Sequence, residues 1–285
     1  MSNRKTGIHQ LRYALYSIRK SPMALVGIFM VAIIIVVAIL APYIVPHPEQ
    51  VYDVNIKNRL QPPSREHLFG TDDHGRDILS RMIFGSRISL EVALIVVSSA
   101  TLIGTTLGLI AGYYGGIIGT IIMRITDAFL AFPALVLALC IQAALGPSIS
   151  NTMIALSLVW WTWYCRIVRG QVLSIKEELY IESARTMGVR NLRMIFRHIL
   201  PNCVGPIIIQ GTLQMGYSVI ATASLGFLGI GAQEPLPEWG LMVASGRDFL
   251  PHWWWISTFP GSAIFWLVLG FCLLGDAIRD IYERS

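Results

Sequence analysis

Three places in this 285-residue chain hold ionisable or metal-ligating side chains whose types and spacing could do chemistry. Asp72, His74 and Asp77 form a short cluster of the types that can bind a divalent cation or cap the start of a helix. Arg124 and Asp127 stand three apart, which on a helix puts them on one face, where they can partly neutralise each other as a packing pair or line a gate or polar path. The third place is an island, Tyr180–Pro201, YIESARTMGVRNLRMIFRHILP, whose charges sit between two long apolar runs. None of these is an enzyme signature. The chain has no GxxxxGK[ST] phosphate loop, only four lysines and no HExxH. His9, His47, His67, His74, His198 and His252 are scattered, with no pair at metal-ligand spacing on one helix. Cys140, Cys165, Cys203 and Cys272 contain no CxxC pair and read as small apolar packing residues. We therefore expect no catalytic residue and no metal site, and we read Asp72, His74 and Asp77 as cap and surface groups.

The elements that hold these residues are membrane spans. Hydrophobic residues make up 54% of the chain and charged residues 14%, against about 25% charged in soluble domains. No Lys, Arg, Asp or Glu occurs in Ser21–Pro48, Val92–Met123, Ala128–Cys165, His198–Gln233 or Phe249–Gly275. A span needs about 20 mostly apolar residues, and glycine-rich turns at Gly112–Gly116 and Gly146–Ser148 divide the longest stretch. This predicts an all-α membrane protein with six spans at 23–45, 89–111, 117–144, 149–168, 203–230 and 256–277. The first is too long for a signal peptide and lacks a cleavage site. The expected organisation is a tail over 1–22, a first span over 23–45, an outer segment over 46–88 containing an interfacial amphipathic helix, and a membrane core over 89–285 with a loop at 170–202.

Six spans place both termini on one side. That side carries 15 of the 22 Lys and Arg residues: Arg4, Lys5, Arg12, Arg19 and Lys20 in the tail, Arg166, Arg169, Lys176, Arg185, Arg190, Arg193 and Arg197 in and beside the island, and Arg124, Arg279 and Arg284. Positive charge marks the cytoplasmic side, so both termini and the island are expected there. The net charge of +5 then reflects topology and gives no argument for nucleic-acid binding.

Within the island and its approach, Val172, Ile175, Leu179, Ala184 and Met187 recur at roughly helical spacing, with most charges elsewhere. Gly188 suits a helix C-cap, and a second helix over 191–199 should end before Pro201. Two short helices meeting at a glycine read either as an amphipathic connector on the bilayer surface or as a dock for a cytoplasmic partner. Gly104, Gly108 and Gly112 make a small-residue strip that lets another helix approach closely, either within the chain or from another subunit. Trp160, Trp161, Trp163 and Tyr164, with Trp253–Trp255, read mainly as interfacial anchors.

These residues carry a resemblance. Glu182-Ser183-Ala184, Gly188 and Leu200-Pro201 resemble the EAA loop of ABC importer permeases: EAA, three residues, Gly, nine residues, then I-x-LP. Ser183 replaces the second motif residue and His198 stands where Ile is usual. GTDDHGRDILSRMIFGSRISL (Gly70–Leu90), MRITDAFLAFPALVLA (Met123–Ala138) and FLGIGAQEPLPEWGLM (Phe227–Met242) are similar to the permease subunits of dipeptide, oligopeptide and nickel importers. The resemblance implies a type I ABC importer permease in a bacterial inner membrane. Such a subunit pairs with a homologous permease, two ATPases that bind ATP and Mg, and an extracytoplasmic binding protein. No cofactor is then expected in this chain itself. It further implies that Glu182, Ser183, Ala184, Arg185, Gly188, Leu200 and Pro201 form the ATPase-coupling loop. Peptides are the favoured cargo on the breadth of the family. Trp161–Gly170 looks somewhat like the nickel-importing members, which keeps nickel or a metal chelate as the alternative. An ion-gradient-driven secondary transporter is the competing class, and the nearly charge-free mid-membrane positions weigh against it.

Overall fold

The computed structural model describes residues 21–283, and these are helical apart from turns and a single isolated bridge, Thr71 with Asp77. The tail charges and Arg284 lie outside the described residues. The chain forms two compact units, with the division falling at Ala93–Leu94 and again at Gly211–Thr212.

The first unit holds the N-terminal helix, the outer segment and the C-terminal quarter. Helix α1 (Pro22–Ile44) begins where the Ser21 hydroxyl accepts the Ala24 N–H at 3.3 Å and Pro22 supplies a preset first φ. It lies along the last helix, Trp255–Glu283. Glycines set how closely, since a Cβ on Gly27 would stand 2.8 Å from the Leu274 nitrogen. Trp266 completes the contact by donating to the Met30 carbonyl at 3.3 Å. The core of this unit gathers Val31, Ile78, Trp239, Trp255, Leu267 and Phe271.

Helix α2 (Ile78–Tyr114) runs for 37 residues. The interfacial helix and the second span expected from the sequence are one element. Its cap is Asp77 rather than Asp72 or Asp73: the Asp77 carboxylate takes the Ser80 N–H at 2.8 Å and the Ser80 hydroxyl at 2.6 Å.

In the second unit, the expected span over 117–144 is broken. Helices α3 (Gly116–Leu130) and α4 (Ala134–Leu145) meet at 90°. Pro133 has no N–H to continue the ladder and turns the preceding residue away from helical angles. Helix α5 (Ile149–Lys176), the short α6 (Leu179–Thr186) and α7 (Asn191–Arg193) follow, and a π-helical turn over Met194–Ile199 leads into α8 (Leu200–Phe227). The expected helix end before Pro201 is therefore corrected, because the chain passes through the proline. The Leu200 N–H bonds five residues back to Ile195. That wider turn eases the clash a proline ring makes with the carbonyl four residues earlier. Two further helices, α9 (Trp239–Arg247) and α10 (Trp255–Glu283), return to the first unit.

Among the described residues four helices are long and apolar enough to cross a membrane, and five if the bent α3–α4 pair is counted as one span. Helix α5 is not among them: Asn151, Thr152, Ser157, Thr162, Arg166 and Arg169 lower its hydropathy.

The glycine strip is resolved as packing within the chain. A Cβ on Gly104 would run into the Trp161 carbonyl, one on Gly108 would lie 2.7 Å from the Cys165 carbonyl, and one on Gly112 would lie 2.6 Å from Val172 Cβ. Trp160, Trp161 and Tyr164 are buried in the body of α5, so these three are core residues and not interfacial anchors.

Candidate functional site

The island folds as a rigid base with one face left open. Lys176 closes α5 against the end of α2, with Nζ donating to the carbonyls of Tyr113 at 2.9 Å and Gly112 at 3.3 Å. This places a cation where unpaired carbonyls give the helix end its negative pole. After Glu177 and Glu178 the chain turns into α6. Ile181 and Ala184 point inward, onto a cluster with Val172, Ile175, Met194, Ile195, Ile199 and Cys203. Two polar links hold the second half of the loop: the Tyr113 hydroxyl at the end of α2 donates to Asn191 Oδ1 at 2.8 Å, and Asn202 Nδ2 donates to the Tyr180 hydroxyl at 3.2 Å.

The end of α6 is a Schellman motif. The Val189 N–H reaches the Ala184 carbonyl at 3.2 Å and the Gly188 N–H reaches the Arg185 carbonyl at 3.0 Å, with Gly188 at φ +78°. Nothing crowds Gly188, so its requirement is the left-handed backbone alone. An L side chain there costs roughly 1–2 kcal/mol.

The open face of α6 carries Leu179, Glu182, Ser183, Arg185, Thr186 and Met187. Leu179 and Met187 are 78% and 77% exposed. They are not the inward stripe that helical spacing suggested; Ile181 takes that role. The Glu182 and Arg185 side chains are exposed and make no ion pair among the described residues. Ala184 is buried in the inward cluster. Leu200 packs against the same cluster and Pro201 is exposed. The result is an eight-residue helix with a buried apolar side, a fixed end, and Glu182 and Arg185 exposed beside two exposed apolar groups.

The outer segment of the first unit is the reverse. The Asp72 carboxylate accepts the His74 and Arg76 N–H groups, each at 2.9 Å, and Arg76 Nε at 2.7 Å. Arg76 Nη1 then meets Glu234 Oε2 at 2.5 Å. Arg81, equally buried, donates to the Val51 carbonyl at 2.9 Å and to Glu234 at 3.4 Å. Burial on its own would raise the Glu234 carboxyl, but Arg76 and Arg81 hold it below the usual carboxylate range. Burial likewise opposes the charge on Arg76, and Glu234 and Asp72 outweigh it, raising its pKa. The Glu238 carboxyl, which caps α9 through the Leu241 N–H at 2.7 Å, is pushed up by burial. Asp77 is a cap, as the sequence suggested, while Asp72 holds the turn before it, and both are buried and not surface groups.

Two structural pairings were out of reach of the sequence. His67 Nδ1 faces Asp77 Oδ1 at 2.9 Å, beside the His47 ring at 5.1 Å, and ligand-capable atoms of the three residues lie within 4.8 Å. The other Asp77 oxygen is taken up by Ser80, so the group works as a helix cap with a histidine behind it. Asp127 pairs with Arg166 of α5, not with Arg124, which is exposed and makes no ion pair among the described residues. No spacing along one helix reports the helix that packs beside it.

Residues 104–285 match the family described as binding-protein-dependent transport system inner membrane component, and residues 9–63 match the N-terminal TM domain of oligopeptide transport permease C. The chain belongs to this family of ABC importer permeases. Among relatives of this permease, the dipeptide transport system permease protein DppC of Alkalihalophilus pseudofirmus is 46% identical over 98% of this chain and 91% of its own length. The probable D,D-dipeptide transport system permease protein DdpC of Escherichia coli K12 is 40% identical over 94% and 89%. The glutathione transport system permease protein GsiD of Pectobacterium atrosepticum is 43% identical over 90% and 85%. In fold, the permease is similar to a chain of the inward-facing MetNI methionine ABC transporter. The TM-score is 0.58 at 17% identity, covering 73% of this chain and 98% of that one.

Proposed function

We propose that this permease forms half of the translocation pathway of an ATP-driven importer of di- or oligopeptides. In this reading six segments cross a bacterial inner membrane, with α5 and the broken α3–α4 pair each counted once. Both termini and the 170–202 loop face the cytoplasm, where charge counting put them. The chain performs no catalysis. A homologous permease completes the pathway, two ATPases bind ATP and Mg below it, and an extracytoplasmic binding protein delivers cargo. Peptide cargo is supported by the names of the relatives, which span dipeptides, D,D-dipeptides and glutathione.

The observation that carries the reading is the open face of α6. ATP-driven closure of the ATPases can move the spans only through an element that is stiff and has one defined face. Ile181 and Ala184 anchor such an element to the ends of α5 and α8 through their shared cluster. Glu182, Ser183, Arg185, Leu179 and Met187 offer the grip, and Gly188 sets the angle at which the helix leaves.

The test is reconstitution of the complex in vesicles with its binding protein. Peptide uptake that requires ATP and both ATPases supports the reading. Uptake by this chain alone on an ion gradient contradicts it, and uptake of nickel without peptide replaces the cargo.

A further inference from the structure

Beside the loop, the second unit has an apolar groove with about 350 Å³ of open volume, within the ~300–1,000 Å³ of ligand pockets. Its walls include Ile110 and Tyr114 at the end of α2, Ile118 at the start of α3, and Leu192, Ile195 and Phe196 from α7 and the π turn. Ile195 also joins the buried cluster, whereas Leu192 and Phe196 are largely exposed. The groove thus lies where the charge-free end of α2 and start of α3 meet the basic loop. Lys176, clamped onto the last carbonyls of α2, marks the same level.

The charges that flank its lining residues along the chain are of one sign. Arg193 directly follows Leu192, Arg197 directly follows Phe196, and Arg190 precedes them. All three are exposed and none makes an ion pair among the described residues. No Asp or Glu occurs from Arg185 to Gln233, and α2 and α3 carry no charge between Val92 and Met123. An apolar slot whose lining residues Leu192 and Phe196 are each followed by an exposed arginine complements a molecule with an apolar tail and an anionic head. Basic pockets at the cytoplasmic ends of spans bind such headgroups, and guanidinium matches phosphate in fork geometry.

We propose that this groove binds one anionic phospholipid of the cytoplasmic leaflet, with an acyl chain along Ile110, Ile118 and Phe196 and its phosphate on Arg193 and Arg197. The bound lipid braces the π turn against α2 and so stiffens the base from which α6 projects. The placement rests on the proposed cytoplasmic face of the loop. The lipid itself is read without any transport assay, so failure of the importer reading and failure of this one are distinguishable.

The experiment is native mass spectrometry of the purified importer complex in micelles holding phosphatidylglycerol and phosphatidylcholine. The expected result is retention of phosphatidylglycerol in preference to phosphatidylcholine. At about 1 kcal/mol per basic residue, Arg193→Gln or Arg197→Gln weakens retention about fivefold and the double variant about 25-fold. Arg193→Lys with Arg197→Lys retains most of it, which separates charge from folding. A photo-reactive residue at position 196, Phe196→p-benzoylphenylalanine, labels lipid. Equal retention of the two lipids, unchanged retention in the double Gln variant, or labelling of an ATPase subunit from position 196 each overturns the proposal.

Discussion

The outer charge cluster and the α6 loop use the same residue types to opposite ends. Around Arg76 and Arg81 every carboxylate has an internal partner: Asp72 holds Arg76, and Glu234 bridges both guanidiniums. On α6, Glu182 and Arg185 face outward with none among the described residues. Charges that satisfy one another inside the chain fasten it together, whereas those left exposed on α6 are free for the proposed ATPase contact. The contrast teaches that function in this permease is to be sought where polar groups are left unspent.

Breaking the fastened set should cost most. Arg76→Met takes from the buried Asp72 carboxylate its closest partner and leaves only Arg81 at 3.7 Å, and removing one partner of a buried pair costs about 3–5 kcal/mol. We expect sharply reduced yield of folded protein and a lower melting temperature in detergent. Gly188→Pro strikes the open region. Proline cannot adopt φ +78°, so insertion and assembly should persist while uptake and stimulated ATP hydrolysis fall to background. Normal uptake by this variant would remove the coupling role. Glu182→Lys should lower uptake about tenfold, equivalent to about 1.4 kcal/mol of lost contact. Its stability should change by no more than about 0.5 kcal/mol, as for exposed sites away from special contacts.

The smallest effect is a pH dependence. The Glu234 carboxyl is depressed below its ordinary value of 4.5, so its contribution to stability is fully present above that value and is lost as pH falls through the depressed one. Wild type should melt above Glu234→Gln at pH 7, and the gap should close in strong acid. A gap that stays constant down to pH 3 would show that the charge on Glu234 adds nothing.

Much of this was legible from residue order. Charge-free runs marked the four long apolar helices, and the glycine strip announced close packing. Gly188 was readable as a helix end because only a left-handed backbone turns α6 there. What escaped depends on neighbours distant in the chain. Arg124 was the obvious partner for Asp127 until α5 brought Arg166 alongside. Pro133 and Pro201 look alike in sequence, yet one breaks a span and the other is carried through by a π turn. Leu179 and Met187 fit an inward stripe by spacing, and α6 is rotated so that they face out. The burial of Asp72 and Asp77 followed from Arg76, His67 and Glu234, whose convergence no local pattern records.

The most direct measurement of the central claim is photo-cross-linking from α6 in the assembled importer. A photo-reactive residue replacing Met187 should label an ATPase subunit, while the same residue replacing the exposed outer Leu68 should not. Labelling of lipid alone from position 187, or of an ATPase from position 68, would contradict the account.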